Sequence, residues 1–228
     1  MSISKRCLAD IAEIQKDIYT SQGIYYYIDE KDANKGYACI FGPEGTPYED
    51  CPMIYSIVIP ASYPFDPPTI RFQTCDGITR FHPNMYIDGK VCLSILHTWE
   101  GPKWTSTMRL STVFITIQSL MDTQPLRHEP GYAEEVGQKG IDYATLVESR
   151  CILYILNCVE KKSNMVALEP FQDIFFKKLP KILERLKVRL EKLLEGGEKV
   201  FPFLPYKMSG TSEYANLLLR VKQNIQKI

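Results

Sequence analysis

The chain contains 228 residues with a mass of 26.2 kDa, which is enough for one domain with an extension or for two small domains. Basic residues (Lys and Arg) and acidic residues (Asp and Glu) number 27 each, so the charge excess typical of nucleic-acid-binding proteins is absent. Seven cysteines without a C-x-x-C pair argue against a disulfide scaffold, and neither a signal peptide nor a run of about 18 apolar residues occurs, so we expect a cytoplasmic or nuclear protein without a membrane span.

The predicted elements begin with a helix over residues 2–18, because apolar residues recur there at helical spacing and Ser2 or Ser4 can cap it. Lys5 and Arg6 fall on its first turn, where the helix dipole disfavours positive charge. This placement either indicates a binding role or arises by chance, and both interpretations remain open.

Four segments rich in β-branched and aromatic residues follow, and they predict strands. They are residues 23–29, 36–42, 53–59 and 68–73. The short, turn-like connections favour an antiparallel meander. A stiff loop with four prolines, residues 60–68, presents Tyr63 and Phe65. Phe65 is either a contact for a partner or packs beneath its own loop.

Two helices are predicted after the strands. Residues 108–122 form a nearly all-apolar pattern, which predicts a buried central helix. A second, long helix is expected over about residues 142–160.

The tail has a different character, because residues 162–228 carry 13 basic and 7 acidic side chains, whereas the first 161 residues carry 14 and 20. Its basic charge either binds an acidic partner or complements the acidic first part. A leucine-rich stripe predicts an amphipathic helix that begins at Pro180, with residues 170–178 as a separate turn or a kinked lead-in. A last helix is expected to begin near residue 212. Both helices are expected to pack on the first part of the chain, since the heptads are too few for a coiled coil.

One stretch, residues 81–96, places His82-Pro83-Asn84 eight residues ahead of Cys92. A cysteine among apolar neighbours is usually a core residue, and Cys92 would suit burial. A thiol that transfers acyl groups needs a nearby donor for the oxyanion, and the Asn84 side-chain amide can supply one. Pro83 restricts His82 to an extended conformation, and we favour a structural role for His82.

Two motifs in the chain match those of a known family. The first is His82-Pro83-Asn84, then seven residues, then Cys92-Leu93; the second is Tyr63-Pro64-Phe65-Asp66-Pro67-Pro68. Further matches are Lys5, Arg6, Gly89, Trp104, Asp122 and Pro125. In these residues the chain resembles the ubiquitin-conjugating enzymes. The resemblance implies an α+β core over residues 1–165, with an N-terminal helix, a four-stranded antiparallel meander, and central and C-terminal helices. Residues 166–228 would form a helical extension packed on that core.

The resemblance also implies roles for individual residues. Cys92 would carry ubiquitin as a thioester, Asn84 would stabilise the oxyanion or the loop, and His82 with Pro83 would shape the site. Lys5 and Arg6 would dock the activating enzyme, while Phe65 and Ser106 would lie on the surface that ligases contact. No metal and no bound cofactor are implied, because ATP is used by the upstream activating enzyme.

The chain departs from the common family pattern in three loops beside the site. Four extra residues separate Cys92 from Trp104, around residues 97–103, and Thr105-Ser106 replaces the usual Ser-Pro. The acidic gate loop reads Gln-Pro-Leu-Arg-His-Glu-Pro from residue 124, so Glu129, or His128 as second choice, would position the incoming lysine. These departures and the tail are similar to the branch typified by ubiquitin-conjugating enzyme Z.

The expected partners are ubiquitin or a ubiquitin-like modifier, the activating enzyme, ligases and protein substrates, with no nucleic acid, no membrane and a monomeric state. One alternative is a catalytically inactive, ubiquitin-binding scaffold. Another is a conjugating enzyme for a ubiquitin-like modifier. A cysteine hydrolase is disfavoured because His82 precedes Cys92 in a short rigid loop, and a zinc site is disfavoured because the Cys and His spacings match no zinc pattern.

Overall fold

The structure, a computed structural model, describes residues 4–160 and 167–228. The helices in these ranges are α1 (Lys5–Ile14), α2 (Asp17–Thr20), α3 (Leu110–Leu120), α4 (Gln138–Val159), α5 (Gln172–Glu195) and α6 (Tyr214–Ile225). The strands are β1 (Ile24–Ile28), β2 (Lys35–Phe41), β3 (Pro52–Val58), β4 (Thr69–Phe72), β5 (Val200–Phe201) and β6 (Gly210–Thr211). Short 3-10 turns occupy Ser94–Leu96, Pro125–His128, Glu169–Phe171 and Pro205–Lys207.

The four long strands form the predicted antiparallel meander, in the order β1-β2-β3-β4. Successive side chains of a strand point to opposite faces of the sheet, and different helices cover the two faces. Tyr26 stacks on Phe114 of α3, with ring centroids 6.0 Å apart. Tyr25 packs edge-on against Phe41 on the other face, and Lys178 of α5 lies 5.3 Å from the Phe41 ring. The sheet is therefore held between the core helix and the tail.

The predicted first helix is interrupted, so the expectation of one helix over residues 2–18 is wrong. The Ser4 hydroxyl accepts from the Cys7 backbone N–H at 3.1 Å and caps α1, as predicted. Lys16 then adopts extended backbone, with φ −72° and ψ 152°, which breaks the helical register before α2. Ile18 consequently leaves the buried face and is 61% exposed. Ser2 and the other residues before Ser4 lie outside the described residues.

The predicted start of the tail helix at Pro180 is also wrong, because α5 begins at Gln172 and contains Pro180 in its interior. A proline inside a helix removes one backbone hydrogen bond. Phe175 and Leu179 precede it and are both buried, and removing their apolar surface from water offsets that cost. The first two turns are therefore kept helical by tertiary packing.

The central helix is covered on one side only. Val113, Phe114 and Ile117 of α3 are fully buried, as the apolar pattern predicts, whereas Ile115 is 44% exposed. The expectation of a buried central helix therefore holds for one face of α3, and the face that carries Ile115 is open to solvent. None of the helices within the described ranges is apolar over a length that would cross a membrane.

Charged contacts join the tail to the rest of the chain. Arg189 of α5 lies 2.6 Å from Glu148 of α4 and donates to the Thr46 carbonyl oxygen at 2.8 Å. Arg220 of α6 lies 3.0 Å from Glu160. The basic tail therefore complements the acidic first part through specific pairs. The predicted boundary between residues 165 and 166 lies outside the described residues.

Candidate active site

The His82-Pro83-Asn84 loop is held by its own histidine. His82 is fully buried, and its Nδ1 accepts the Asn84 backbone N–H at 3.0 Å. Burial in apolar surroundings, reinforced by the neighbouring His128, lowers the pKa of His82 well below its usual value. The imidazole is therefore neutral at physiological pH and serves as a hydrogen-bond acceptor inside the loop, in keeping with the structural role proposed for it.

Asn84 and Cys92 brace each other through two hydrogen bonds. The Cys92 backbone N–H donates to the Asn84 carbonyl oxygen at 2.8 Å, and the Asn84 side-chain Nδ2 donates to the Cys92 carbonyl oxygen at 2.7 Å. The amide predicted to face an oxyanion thus has one of its N–H groups engaged by the backbone that carries the thiol. This geometry suits the loop-shaping role of Asn84, and the second N–H makes no hydrogen bond within the described residues.

Cys92 differs from the other cysteines of the described chain in its surroundings. Its side chain is nearly covered, at 3% exposure, yet it is not part of the large apolar cluster that holds most of the other thiols. Burial raises the pKa of Cys7 to about 11 and that of Cys158 to about 12, and it raises the pKa of Cys39 well above the usual range. These three thiols are poor nucleophiles, because the thiolate is the reactive form.

The segment after Cys92 is fixed by a threonine that the sequence analysis did not single out. Thr98 Oγ1 accepts the Leu93 N–H at 2.9 Å and donates to the Val91 carbonyl oxygen at 2.7 Å, so one hydroxyl bridges the residues on both sides of Cys92. His97 enters this turn with a left-handed φ of 59°. The insertion at residues 97–103 therefore begins as an ordered turn beside the thiol.

The rest of the insertion leads to the proline-rich loop. Trp99 is 46% exposed, and its carbonyl oxygen accepts from Lys103 Nζ at 2.8 Å. Trp104 then buries its ring, and its Nε1 donates to the Pro64 carbonyl oxygen at 2.7 Å. The loop that carries Phe65 is thus anchored to the end of the insertion.

The gate loop meets the His82 loop and the tail. His128 Nε2 lies 2.9 Å from Asp122 Oδ2, and the His128 ring lies 5.1 Å from the ring of His82. Glu129, predicted to position the acceptor lysine, accepts a hydrogen bond from Tyr206 at 2.6 Å through Oε2. Tyr206 belongs to the tail, and no local sequence signal identified it.

Arg80 contacts both the His82-Pro83-Asn84 loop and the tail. It is 9% exposed, and its guanidinium donates to the carbonyl oxygens of His82 at 3.2 Å and Pro83 at 2.6 Å. The same guanidinium lies 3.3 Å from the ring centre of Tyr86 and 4.9 Å from that of Tyr206. An arginine close before the motif could have been noticed in the sequence, but its target could not.

The predicted partner-binding residues form a second group. Phe65 is 78% exposed on its loop, and Lys5 and Ser106 are also exposed. Arg6 instead turns inward, lying 3.0 Å from Asp10 and donating to the Ser106 carbonyl oxygen at 3.1 Å. Its position on the first turn is therefore explained by intramolecular contacts, while its role toward a partner stays a prediction.

The structure holds no metal-binding group within residues 4–160 and 167–228, where no three His, Cys, Asp or Glu side chains converge.

Comparison with known proteins matches the core of the chain. The family model described as ubiquitin-conjugating enzyme matches residues 6–148. The chain is 42% identical over 135 residues to ubiquitin-conjugating enzyme E2 Z of Xenopus tropicalis, covering 58% of this chain and 43% of that protein. The human protein of the same name is 42% identical over 131 residues, covering 57% and 36%. These matches confirm the predicted resemblance to the branch of ubiquitin-conjugating enzyme Z.

A further relative extends beyond that core. The probable ubiquitin-conjugating enzyme protein 17 of Caenorhabditis elegans is 34% identical over 184 residues, covering 77% of this chain and 25% of that protein. Among solved structures, a ubiquitin-conjugating enzyme E2 domain of Toxoplasma gondii is 32% identical with a TM-score of 0.49, covering 65% of this chain and 93% of that one. The chain spans less than half the length of the curated relatives described here.

Proposed function

The chain belongs to the ubiquitin-conjugating enzyme family, and from this premise we propose that it accepts ubiquitin as a thioester on Cys92 and transfers it to a lysine of a substrate or to a ligase. The observation that carries this proposal is the mutual bracing of Asn84 and Cys92, which fixes the one thiol that stands in the family's motif.

The loading step is an exchange between two thioesters. The Cys92 sulfur attacks the carbonyl carbon of ubiquitin's C-terminal thioester on the activating enzyme, a new C–S bond forms, and the old C–S bond breaks. The thiol of the activating enzyme leaves with the proton that Cys92 gives up. No oxidant, metal or bound cofactor takes part, and ATP is consumed by the activating enzyme upstream.

The transfer step forms an amide. The amine nitrogen of an acceptor lysine attacks the thioester carbonyl carbon, the C–N bond forms, the C–S bond breaks, and Cys92 regains its proton as the amine loses one. The second N–H of Asn84 is the donor for the oxyanion, and Glu129 holds the incoming ammonium, which releases one proton to solvent and so becomes the neutral amine that attacks. The hydrogen bonds among His82, Asn84 and Cys92 already fix this loop, so its geometry is supplied without rearrangement at the moment of reaction.

The remaining assignments belong to the same proposal. Ubiquitin, the activating enzyme, ligases and protein substrates are the partners, with Lys5 and Arg6 on the surface for the activating enzyme and Phe65 and Ser106 on that for ligases. The exposed ring of Phe65 supports this assignment, because a large exposed aromatic on an anchored loop suits a partner surface. A monomeric protein of the cytoplasm or nucleus fits this role.

The test is a charging assay with activating enzyme, ubiquitin and ATP. We expect an adduct that thiol reductant removes, no adduct with Cys92→Ala, and a reductant-resistant oxyester with Cys92→Ser. Cys75→Ala is the matched control, because Cys75 is the exposed thiol of the described chain. We expect this variant to charge like the wild type. An undiminished adduct on Cys92→Ala, or none on the wild type, would refute the proposal.

A further inference from the structure

The turn Pro205–Lys207 of the tail contacts the gate loop through Glu129 and the His82-Pro83-Asn84 loop through Arg80. Its central residue, Tyr206, has a left-handed backbone with φ 62°, which costs a non-glycine residue free energy and is retained only where other contacts outweigh it. One such contact is aromatic, since the ring packs edge-on to Tyr143 with centroids 5.9 Å apart. The unusual backbone therefore serves to aim this ring.

The first loop that Tyr206 contacts is the gate loop. Its hydroxyl donates to Glu129 Oε2 at 2.6 Å, and within the described residues no donor bonds to Glu129 Oε1. Burial, together with the hydrogen bond to Glu129, raises the pKa of Tyr206 far above its ordinary value. The phenol therefore remains a neutral donor, and one oxygen of Glu129 is left for another donor.

The second loop is His82-Pro83-Asn84, which Tyr206 reaches through Arg80. The Arg80 guanidinium lies between the rings of Tyr86 and Tyr206 while it donates to the His82 and Pro83 carbonyl oxygens. Met208 joins the same contact, because the Arg80 backbone N–H lies 3.2 Å from its sulfur. One segment of the tail thus contacts both the arginine that supports the His82-Pro83-Asn84 loop and the Glu129 carboxylate of the gate loop.

We propose that Tyr206 is a positioning residue for the transfer step, which holds the Glu129 carboxylate through Oε2 so that Oε1 receives the ammonium of an acceptor lysine. This inference rests on the proposed function. Since a carboxylate favours a cationic amine over a neutral thiol, Tyr206 biases the Cys92 thioester toward lysine acceptors. The tail thereby sets acceptor chemistry from outside the His82-Pro83-Asn84 loop.

The experiment uses the full chain, charged with ubiquitin and separated from the activating enzyme, so that only discharge is measured. The thioester is mixed with free lysine or with a small amine-free thiol. We expect Tyr206→Phe to slow discharge to lysine by about 5- to 20-fold, because one hydrogen bond to a charged group is lost. Discharge to the thiol should change by less than about twofold, because a carboxylate attracts a neutral acceptor only weakly.

Two further variants make the result specific. Tyr132→Phe is the matched control, since Tyr132 lies three residues from Glu129 and its hydroxyl makes no hydrogen bond within the described residues. Glu129→Gln should slow discharge to lysine by a similar factor. The double variant Tyr206→Phe/Glu129→Gln should be no slower than Glu129→Gln alone, because both changes act on one carboxylate.

Each other outcome refutes the proposal. Equal lysine rates for Tyr206→Phe and Tyr132→Phe, or a parallel loss of lysine and thiol discharge, would show that Tyr206 does not position Glu129. Glu129→Gln with wild-type lysine discharge would do the same, even if Tyr206→Phe failed to fold. A wild-type chain that never charges would refute the proposed function as well, whereas charging without a lysine-specific defect refutes only the role of Tyr206.

Discussion

Two arginines one helical turn apart on α5 offer a direct measure of what attaches the tail. Arg189 has a side chain that is 22% exposed and lies 2.6 Å from Glu148, which is 14% exposed. Arg185 is 49% exposed and lies 2.5 Å from Asp50. The two pairs have similar distances and the same chemistry, and they differ in how far the arginine is removed from water. Arg189→Met and Arg185→Met remove each charge while keeping an apolar stem.

The expected effects differ severalfold. Arg189→Met leaves the Glu148 carboxylate without its partner in a mostly buried site, which costs up to about 3–5 kcal/mol for a fully buried pair and about 2–3 kcal/mol at this partial exposure. Arg185→Met removes a pair whose arginine is already about half exposed to water, and such a pair is worth about 0–1 kcal/mol. The measurement is urea unfolding at low ionic strength, because urea does not screen ion pairs as guanidinium salts do.

The pH dependence gives a second, independent signature. Burial raises the pKa of Glu148 even beside Arg189, and without Arg189 it rises further. A carboxyl whose folded pKa is raised destabilises the fold above that pKa, and the penalty disappears as the pH falls toward the unfolded pKa of about 4.3. The deficit of Arg189→Met should therefore shrink between pH 7.5 and pH 5, by about 1.4 kcal/mol for each unit of additional pKa shift. Equal deficits for the two variants, or a deficit for Arg189→Met that grows on acidification, would refute the reasoning.

Two smaller predictions concern the loops around the thiol. Thr98→Val should cost about 1 kcal/mol and lower the hydrogen-exchange protection of the Leu93 amide about fivefold, because that N–H loses its acceptor, whereas Thr98→Ser should retain it. The lowered pKa of His82 means that its neutral form contributes stability above the unfolded pKa of about 6.5 and that this stability is lost as the pH falls below it, by up to about 1.4 kcal/mol per pH unit. Its ring resonances should show a neutral imidazole down to pH 5.5, and titration near pH 6.5 would contradict the buried site.

The meander and the loop before Cys92 could be predicted because their signals are local. Alternating β-branched and aromatic residues with short turns define strands in any context, and links of this length restrict neighbouring strands to antiparallel pairing. The motif His82-Pro83-Asn84 likewise lies close to Cys92 in the sequence, and the bracing between Asn84 and Cys92 spans only eight residues.

The contacts that could not be predicted are the distant ones. The hydrogen bond from Tyr206 to Glu129 joins residues 77 positions apart, and that from Arg6 to the Ser106 carbonyl joins residues 100 apart. A tyrosine or arginine has many equivalent partners at such separations, and only the packed fold selects one. The same packing overrides a local rule at Pro180, where a residue that ordinarily opens a helix lies inside one.

The attachment of the tail also has a consequence for the order in which the protein acquires its structure during synthesis. Chains emerge from the ribosome N-terminus first at about 5–20 residues per second, so Tyr206 follows Glu160 by about 2–9 s. The meander, the thiol loop and the gate loop, all made by then, contain the short-range contacts that form early. For those seconds Glu129 lacks the hydrogen bond from Tyr206, and Arg80 has the ring of Tyr86 beside it but not that of Tyr206. The side chain that we propose to orient the acceptor site is thus among the last parts of the described chain to reach its place.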